Sequence, residues 1–167
     1  HSNLRRQRQM CIRDSIILNA LSGKPIPIYG DGLQIRDWLY VEDHVMALMQ
    51  VLNTAKPGSS YNIGGFNEKT NLEVVNKVCA TIDKMFITKF NKESNTKDLI
   101  QFVQDRPGHD RRYAIDSTKI SNELGWRPVE TFESGIYKTI DWYINNNKWW
   151  KQLLSDGYEF KRIGLVK

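Results

Sequence analysis

The chain has 167 residues, 40% of them hydrophobic and 26% charged, which is typical of a folded globular domain and not of a disordered chain. Most of its net charge of +5 comes from residues 1–15, and the nearly balanced remainder carries no basic, aromatic stripe of the kind that binds nucleic acid. With no apolar run long enough for a bilayer, no cysteine or histidine cluster for zinc, and only two cysteines, the composition favours a cytoplasmic protein without a membrane segment, metal or disulfide framework.

The first elements predicted along the chain are a short helix and two strands. Residues 15–22 favour a helix that Gly23 closes, and the prolines within residues 25–29 exclude helix and favour an extended segment. Aromatic and β-branched residues predict a second strand over residues 34–41. A helix is expected from about Glu42, with a single buried apolar face formed by Val45, Met46, Leu48, Met49 and Leu52.

Two local patterns follow in the middle of the chain. Residues 61–63 are predicted to form a strand that enters the glycine pair at 64–65, where the backbone can approach a ligand closely. Thr70 and Glu73 have the spacing of a capping box, which predicts a helix that starts there and runs to about Met85 with its apolar side inward.

The last part of the chain is predicted to contain short strands and further helices. The polar residues 88–98 favour a loop. Brief strands are expected at 100–103 and 113–115, and helices at 117–124 and 131–146, the last extended by residues 149–154. These elements predict an α/β fold of short strands and helices, without the regular alternation of a complete doubly wound sheet.

The strongest chemical signal is Asp-Arg-Pro-Gly-His-Asp-Arg-Arg-Tyr at residues 105–113, which groups three guanidinium groups and an imidazole around a proline-glycine turn. A guanidinium fork can pair two phosphate oxygens at once, so this loop suits a diphosphate. The alternative is a solvated basic loop in which Arg111 and Arg112 pair with nearby carboxylates.

Other candidate residues carry weaker signals. Arg36 is a plausible second phosphate contact, with an ordinary surface pair to Asp37 as the alternative. His44, at a helix start, is interpreted as a capping or structural residue, with a general base as the alternative. Cys79 is interpreted as core packing, and so are three tryptophans, Trp142, Trp149 and Trp150. No nucleophile-base pair and no dinucleotide-binding glycine fingerprint is recognisable, so no catalytic residue is assigned to this chain.

Taken together, these segments resemble the C-terminal half of the dTDP-glucose 4,6-dehydratase family of extended short-chain dehydrogenases/reductases. Arg-Asp-Trp and Tyr-Asn-Ile-Gly recur in related sugar-nucleotide epimerases and decarboxylases, whereas Arg-Pro-Gly-His-Asp-Arg-Arg-Tyr is narrower and points to the dehydratases. The resemblance covers about residues 16–150. The matching segments are 23–32, 34–44, 61–65, 105–116, 124–128 and 131–135.

The resemblance implies the substrate-binding part of an NAD(P)-binding Rossmann-type fold, with most of the Rossmann sheet missing from this chain. It implies that Arg36 and Arg106 grip the diphosphate of a dTDP-sugar, and that Asn62 and His109 hydrogen-bond phosphate or sugar oxygens. Tyr29 would lie near the nucleoside, and Pro27 would shape the pocket wall beside it.

The resemblance also implies the chemistry of the complete enzyme. In the family, NAD takes a hydride from sugar C4, water is eliminated across C5 and C6, and the hydride returns to C6, which gives a 4-keto-6-deoxy sugar. The NAD loop, the Tyr-x-x-x-Lys pair and the acid/base carboxylates belong to the N-terminal half, so NAD would be held outside this chain and the chain alone would be inactive. The full-length protein would be a homodimer.

Two other functions remain open from the sequence. The chain is also compatible with a fragment of another NAD-dependent sugar-nucleotide epimerase or decarboxylase, and with a non-catalytic module that binds a nucleotide sugar.

The sequence divides into three parts. Residues 1–15 form an atypical basic leader, whose composition suggests a segment foreign to the family, because the family has a Lys-Leu-Ile-Pro-like segment there. Residues 16–156 form the sugar-nucleotide-binding domain, and residues 157–167 form a tail. We expect the helices over 72–85 and 132–146 to expose apolar faces and to make the chain marginally stable or prone to aggregation.

Overall fold

The computed structural model describes residues 12–105 and 108–155. Strand β1 pairs with β4, and β2 pairs with β3 in antiparallel register. Within the described residues, no helix combines the length and the apolar character that crossing a membrane requires. The elements in chain order are α1 (Ile12–Leu21), β1 (Ile26–Tyr29), β2 (Ile35–Asp37), α2 (Val41–Thr54), β3 (Glu68–Thr70), α3 (Asn71–Phe90), a 3-10 helix (Thr96–Leu99), β4 (Ile100–Val103), α4 (Thr118–Leu124), α5 (Phe132–Asn145) and α6 (Asn147–Ser155).

One of the two compact units of the described chain consists of residues 12–27, 75–101 and 139–155. Its buried apolar residues recur on α3 at the three- and four-residue spacing of a single helical face. The prediction that the apolar side of this helix points inward is confirmed, because Val75, Val78 and Ile82 are at most 1% exposed. The expectation that the chain leaves this apolar face exposed is therefore wrong. The buried residues of this unit include Ile16, Ile17, Val75, Val78, Cys79, Ile82, Met85, Ile140 and Trp150.

The second unit consists of residues 28–74 and 102–138. Ala47, Ile120 and Trp126 form its buried apolar cluster. Around that cluster pack five partly buried side chains: Leu39, Val51, Tyr61, Ile63 and Leu124.

Helix α2 exposes the apolar face that was predicted to be buried. The five residues of that face are between 46% and 77% exposed, whereas Asp43 and Ala47 are the buried residues of the helix. Asp43 is buried because its carboxylate accepts hydrogen bonds from the backbone N–H groups of Val129 and Glu130, each at 3.0 Å. Helical spacing identifies residues that share a face, but it does not show whether another element covers that face.

The polar segment 88–98 is not the loop that its composition predicts. Helix α3 continues to Phe90, and Asn91 then adopts a positive φ of 48°, a conformation that asparagine tolerates at a helix end. The carboxylate of Asp83, about two turns before the end of α3, accepts the backbone N–H of Thr96 at 3.1 Å. This bond fixes the start of the 3-10 helix against α3.

Three predicted strands are shorter than expected or absent. Strand β2 has three residues instead of the span 34–41: it ends at Asp37, and α2 already begins at Val41. Residues 61–63 and 113–115 form no strand. Next to residues 113–115, Arg112 forms a single isolated β-bridge with Ile35. The loop that follows residues 61–63 is held by the Asp37 carboxylate and by the backbone N–H of Trp38, which donates to the carbonyl of Asn67 at 3.1 Å.

The capping box predicted at Thr70 and Glu73 is confirmed. The backbone N–H of Thr70 donates to the Glu73 carboxylate at 2.7 Å, and the backbone N–H of Glu73 donates to Thr70 Oγ1 at 3.2 Å. Hydrogen bonds from the Thr70 backbone and hydroxyl lower the pKa of Glu73. These two reciprocal bonds satisfy donors that the first turn of α3 would otherwise leave unpaired.

The aromatic and cysteine assignments are confirmed only in part. Cys79 is fully buried, and burial raises the pKa of its thiol, as expected for a core residue. Trp150 is buried and donates to the carbonyl of Tyr143 at 2.8 Å. Trp142 and Trp149 do not close the core: they contact each other edge to face and are 45% and 57% exposed.

Candidate functional site

Arg36 on β2 is held beside the loop that carries the strongest chemical signal. Its guanidinium donates to the carbonyl of Ile35 at 2.6 Å and to that of Asp110 at 2.9 Å, and it lies 4.5 Å from the ring centre of Tyr113. Within the described residues no carboxylate pairs with it, so the alternative of a surface pair with Asp37 is wrong. Two backbone carbonyls therefore hold the Arg36 guanidinium in place, and no carboxylate of the described residues neutralises its charge.

Asp37 points its carboxylate at the glycine-containing loop. Its two oxygens accept the backbone N–H groups of Gly65 at 2.6 Å and of Asn67 at 2.7 Å. A Cβ at Gly65 would overlap the carbonyl oxygen of Trp38, and one at Gly64 would lie 2.5 Å from the Asp37 carboxylate. The chain's own groups thus account for the close backbone approach at both glycines.

The loop of residues 105–113 also contains Arg111 and Arg112, and each of these arginines pairs with a carboxylate. Arg111 bonds to Asp31 at 2.8 Å, and Arg112 bonds to Glu68 at 2.7 Å. The Arg111 guanidinium lowers the pKa of Asp31, and the Glu68 carboxylate raises the pKa of Arg112. For these two arginines the alternative of pairing with nearby carboxylates is confirmed.

His109 is the buried end of a partly buried hydrogen-bond network that the sequence did not reveal. Its side chain is 2% exposed, and its Nδ1 lies 2.7 Å from the Asp105 carboxylate. The other oxygen of that carboxylate accepts a hydrogen bond from Gln34 Nε2 at 3.0 Å. The Nε2 atom of His109 is buried and has no hydrogen-bond partner among the described residues. The motif of residues 105–113 contains Asp105 and His109, but no pattern in the sequence indicated that Gln34, 71 residues before Asp105, joins them.

Asn62 lines an open cavity of about 390 Å³. His44 lines the same cavity, and its side chain does not cap α2: the N-cap residue is Tyr40, where no side-chain capping bond forms. The capping role proposed for His44 is therefore wrong. The remaining lining residues are Tyr61, Ile63, Ala114, Ile115 and Asp116.

The remaining predicted substrate contacts are Pro27, Tyr29 and Arg106. Pro27 and Tyr29 are half-buried residues of β1. The carbonyl of Tyr29 accepts Gln34 Nε2 at 3.4 Å, which connects Tyr29 to the partly buried network. Arg106 lies outside the described residues. No group of three histidine, cysteine, aspartate or glutamate residues within 12–105 and 108–155 is arranged to hold a metal ion.

Residues 1–139 match the family model described as GDP-mannose 4,6 dehydratase. A dTDP-glucose 4,6-dehydratase of Neisseria meningitidis serogroup B is 55% identical over 91% of the chain and 43% of that protein. The crystal structure of a dTDP-glucose 4,6-dehydratase from Bacillus anthracis in complex with NAD matches with a TM-score of 0.70 and 47% identity, over 86% of this chain and 42% of that one. A UDP-glucose 4-epimerase from Thermotoga maritima, solved with UDP-glucose, matches with a TM-score of 0.66 and 25% identity, over 82% and 40%.

The fold and the comparisons together define a partial Rossmann-type fold of the epimerase/dehydratase class, which confirms the predicted fold class. The chain belongs to the GDP-mannose 4,6-dehydratase family. The predicted resemblance to dTDP-glucose 4,6-dehydratases is confirmed as well. The chain spans about 43% of the length of the curated relative from Neisseria meningitidis.

Proposed function

We propose that this chain is the C-terminal substrate-binding portion of a dTDP-glucose 4,6-dehydratase, which converts dTDP-glucose to dTDP-4-keto-6-deoxyglucose and water. The observation that carries the proposal is the contrast between Arg36 and its neighbours. Arg111 and Arg112 are neutralised by carboxylates, whereas Arg36 has none among the described residues. A fixed guanidinium without a carboxylate is suited to a phosphate.

The substrate contacts follow from this assignment. Arg36 and Arg106 would bind the diphosphate, and Asn62 and His109 would bond phosphate or sugar oxygens. Tyr29 would contact the nucleoside beside Pro27. The cavity of Asn62 has room for part of a ligand, about 390 Å³, within the usual range for small-molecule sites.

NAD would be held by the remainder of the longer protein. Among the described residues no glycine-rich loop leads directly into a helix N-terminus, the usual receptor for a dinucleotide pyrophosphate. When bound, NAD would supply the reversible hydride acceptor for the sugar. We place the complete enzyme in the cytoplasm as a homodimer. The chain alone should give no turnover of dTDP-glucose and NAD in a 4-keto-sugar assay.

Titration calorimetry with dTDP tests the assignment, in a chain restored to full length with the N-terminal portion of a relative. Arg36→Ala and Arg106→Ala should each weaken binding by about 1.5 to 3 kcal/mol, the value of a charge-assisted hydrogen bond. Arg36→Lys should recover only part of the loss, because lysine lacks the guanidinium fork.

Arg111→Ala is the matched control. Its guanidinium is exposed and already paired with Asp31, so its loss should change the dTDP affinity by less than about twofold. Unchanged affinity in Arg36→Ala, or an equal loss in Arg111→Ala, would contradict the phosphate assignment.

The similarity to a UDP-glucose 4-epimerase supports a second candidate, a fragment of a sugar-nucleotide epimerase. Competition between dTDP-glucose and UDP-glucose for the same restored protein separates the two. Preference for the dTDP-sugar together with 4-keto product supports the dehydratase. Preference for the UDP-sugar with no keto product supports the epimerase. Binding with no turnover of either sugar would favour a non-catalytic module.

A further inference from the structure

A chain of hydrogen bonds connects the backbone of β1 to the imidazole of His109. Gln34, which is 3% exposed, donates through Nε2 to the Tyr29 carbonyl at 3.4 Å and to Asp105 at 3.0 Å. The second oxygen of Asp105 lies 2.7 Å from His109 Nδ1. A hydrogen-bonded network of this kind, partly buried here, constrains which ring nitrogen of its last member carries the proton in the neutral ring.

The backbone carbonyl of Tyr29 determines which groups in this network donate and which accept. A backbone carbonyl can only accept, so Gln34 must turn its Nε2 towards Tyr29, and its Oε1 is then free to accept from Asn71 Nδ2 at 3.3 Å. An ionised Asp105 can also only accept. The bond between Asp105 and His109 therefore requires the proton on Nδ1, which leaves a lone pair on Nε2 of the neutral ring.

The backbone at Gly30 makes room for this arrangement. Gly30 has a φ of +63°, and a Cβ there would lie 2.9 Å from the Asp105 oxygen that Gln34 contacts. Its backbone N–H donates to the carbonyl of Val103 at 2.9 Å, two residues before Asp105. The turn after β1 is thus shaped around the carboxylate.

We propose that Gln34 and Asp105 are positioning residues that hold His109 in the Nδ1–H tautomer, so that Nε2 accepts a hydrogen bond from a hydroxyl group of the sugar. A lone pair attracts a hydroxyl and repels a phosphate oxygen, so the tautomer selects one of the two ligand contacts that remained open for this histidine. A buried Nε2 with no partner among the described residues is costly until a donor reaches it. The identity of the ligand rests on the proposed function, whereas the tautomer does not.

Nuclear magnetic resonance of the ¹⁵N-labelled 167-residue chain tests the tautomer without any ligand. Long-range ¹H–¹⁵N spectra at about pH 8, where free imidazole is neutral, distinguish a protonated from an unprotonated ring nitrogen. Single substitution of the other two histidines assigns the His109 signals. The wild type should show the proton on Nδ1. The Nε2–H tautomer in the wild type would overturn the proposal.

Asp105→Asn should invert the tautomer. Gln34 still donates on one side, so the new amide must present its oxygen to Gln34 and its NH₂ group to His109 Nδ1, which moves the ring proton to Nε2. Asn71→Ala is the matched control: it removes a network contact, but the Tyr29 carbonyl still orients Gln34, so the tautomer should remain. An unchanged tautomer in Asp105→Asn, or an inverted one in Asn71→Ala, contradicts the proposed chain of bonds.

The ligand part is tested with dTDP and dTDP-glucose on the restored full-length protein. Asp105→Asn should weaken dTDP-glucose about three- to tenfold, the effect of one hydrogen bond, and should change dTDP less than twofold. Equal losses for both ligands would show that the contact is not to the glucose. Failure of the wild type to bind either ligand would refute the proposed function and leave the tautomer result standing.

Discussion

The Asp37 carboxylate is the best site at which to test how this chain holds its glycine-containing loop. It accepts two backbone N–H groups from across the loop, at 2.6 Å from Gly65 and at 2.7 Å from Asn67. Asp37→Ala would remove both acceptors at once. Because Gly65 is buried, water cannot replace the lost bond fully at that amide.

The expected loss follows from these two bonds. A hydrogen bond to a charged group contributes about 1.5 to 3 kcal/mol, and partial access of water at Asn67 reduces the second contribution. We expect Asp37→Ala to lower the free energy of unfolding by about 3 kcal/mol. Asp37→Asn should be nearly as damaging, because one amide N–H of the new side chain must face a backbone N–H.

Urea unfolding followed by tryptophan fluorescence measures this loss, since Trp38 lies next to the substituted residue. Asp31→Ala is the control, because this exposed aspartate also bonds an arginine and a backbone N–H, and exposed pairs contribute less than about 1 kcal/mol. A loss below about 1 kcal/mol in Asp37→Ala, or equal losses in the two variants, would refute the reasoning.

Three further predictions concern other features of the chain. Gly65→Ala should unfold the second unit or lower its stability by more than about 2 kcal/mol in the same urea assay, because the new Cβ overlaps the carbonyl of Trp38; a stable variant would show that the loop can shift. The lowered pKa of Glu73 means that its stabilising effect is present above its ordinary value of 4.5 and is lost as the pH falls through the lower folded value, so Glu73→Gln should flatten the acid limb of stability against pH. Leu48→Lys should reduce the self-association of the purified chain in sedimentation velocity, because Leu48 is 51% exposed on the apolar face of α2. Unchanged association would show that another surface mediates it.

Features that depend only on neighbouring residues could be predicted from the sequence. The capping box of Thr70 and Glu73 spans four positions, and the glycine at 125, with a φ of +69°, ends α4 where it was expected. The buried face of α3 could be predicted because helical geometry places residues three and four positions apart on one side of the helix. The motif of residues 105–113 was sufficient to indicate the family, since its chemistry is contained in nine consecutive residues.

The partners of these residues depend on contacts between distant parts of the chain. The carboxylates that neutralise Arg111 and Arg112 lie 80 and 44 residues away in the sequence, so local composition could not tell these arginines from Arg36. The orientation of His109 depends on Gln34, which reaches it through a carboxylate 71 residues further along the chain. Whether the apolar face of α2 is covered likewise depends on distant elements. Spacing along a chain specifies which residues share a face, and only the path of the remaining chain specifies what meets that face.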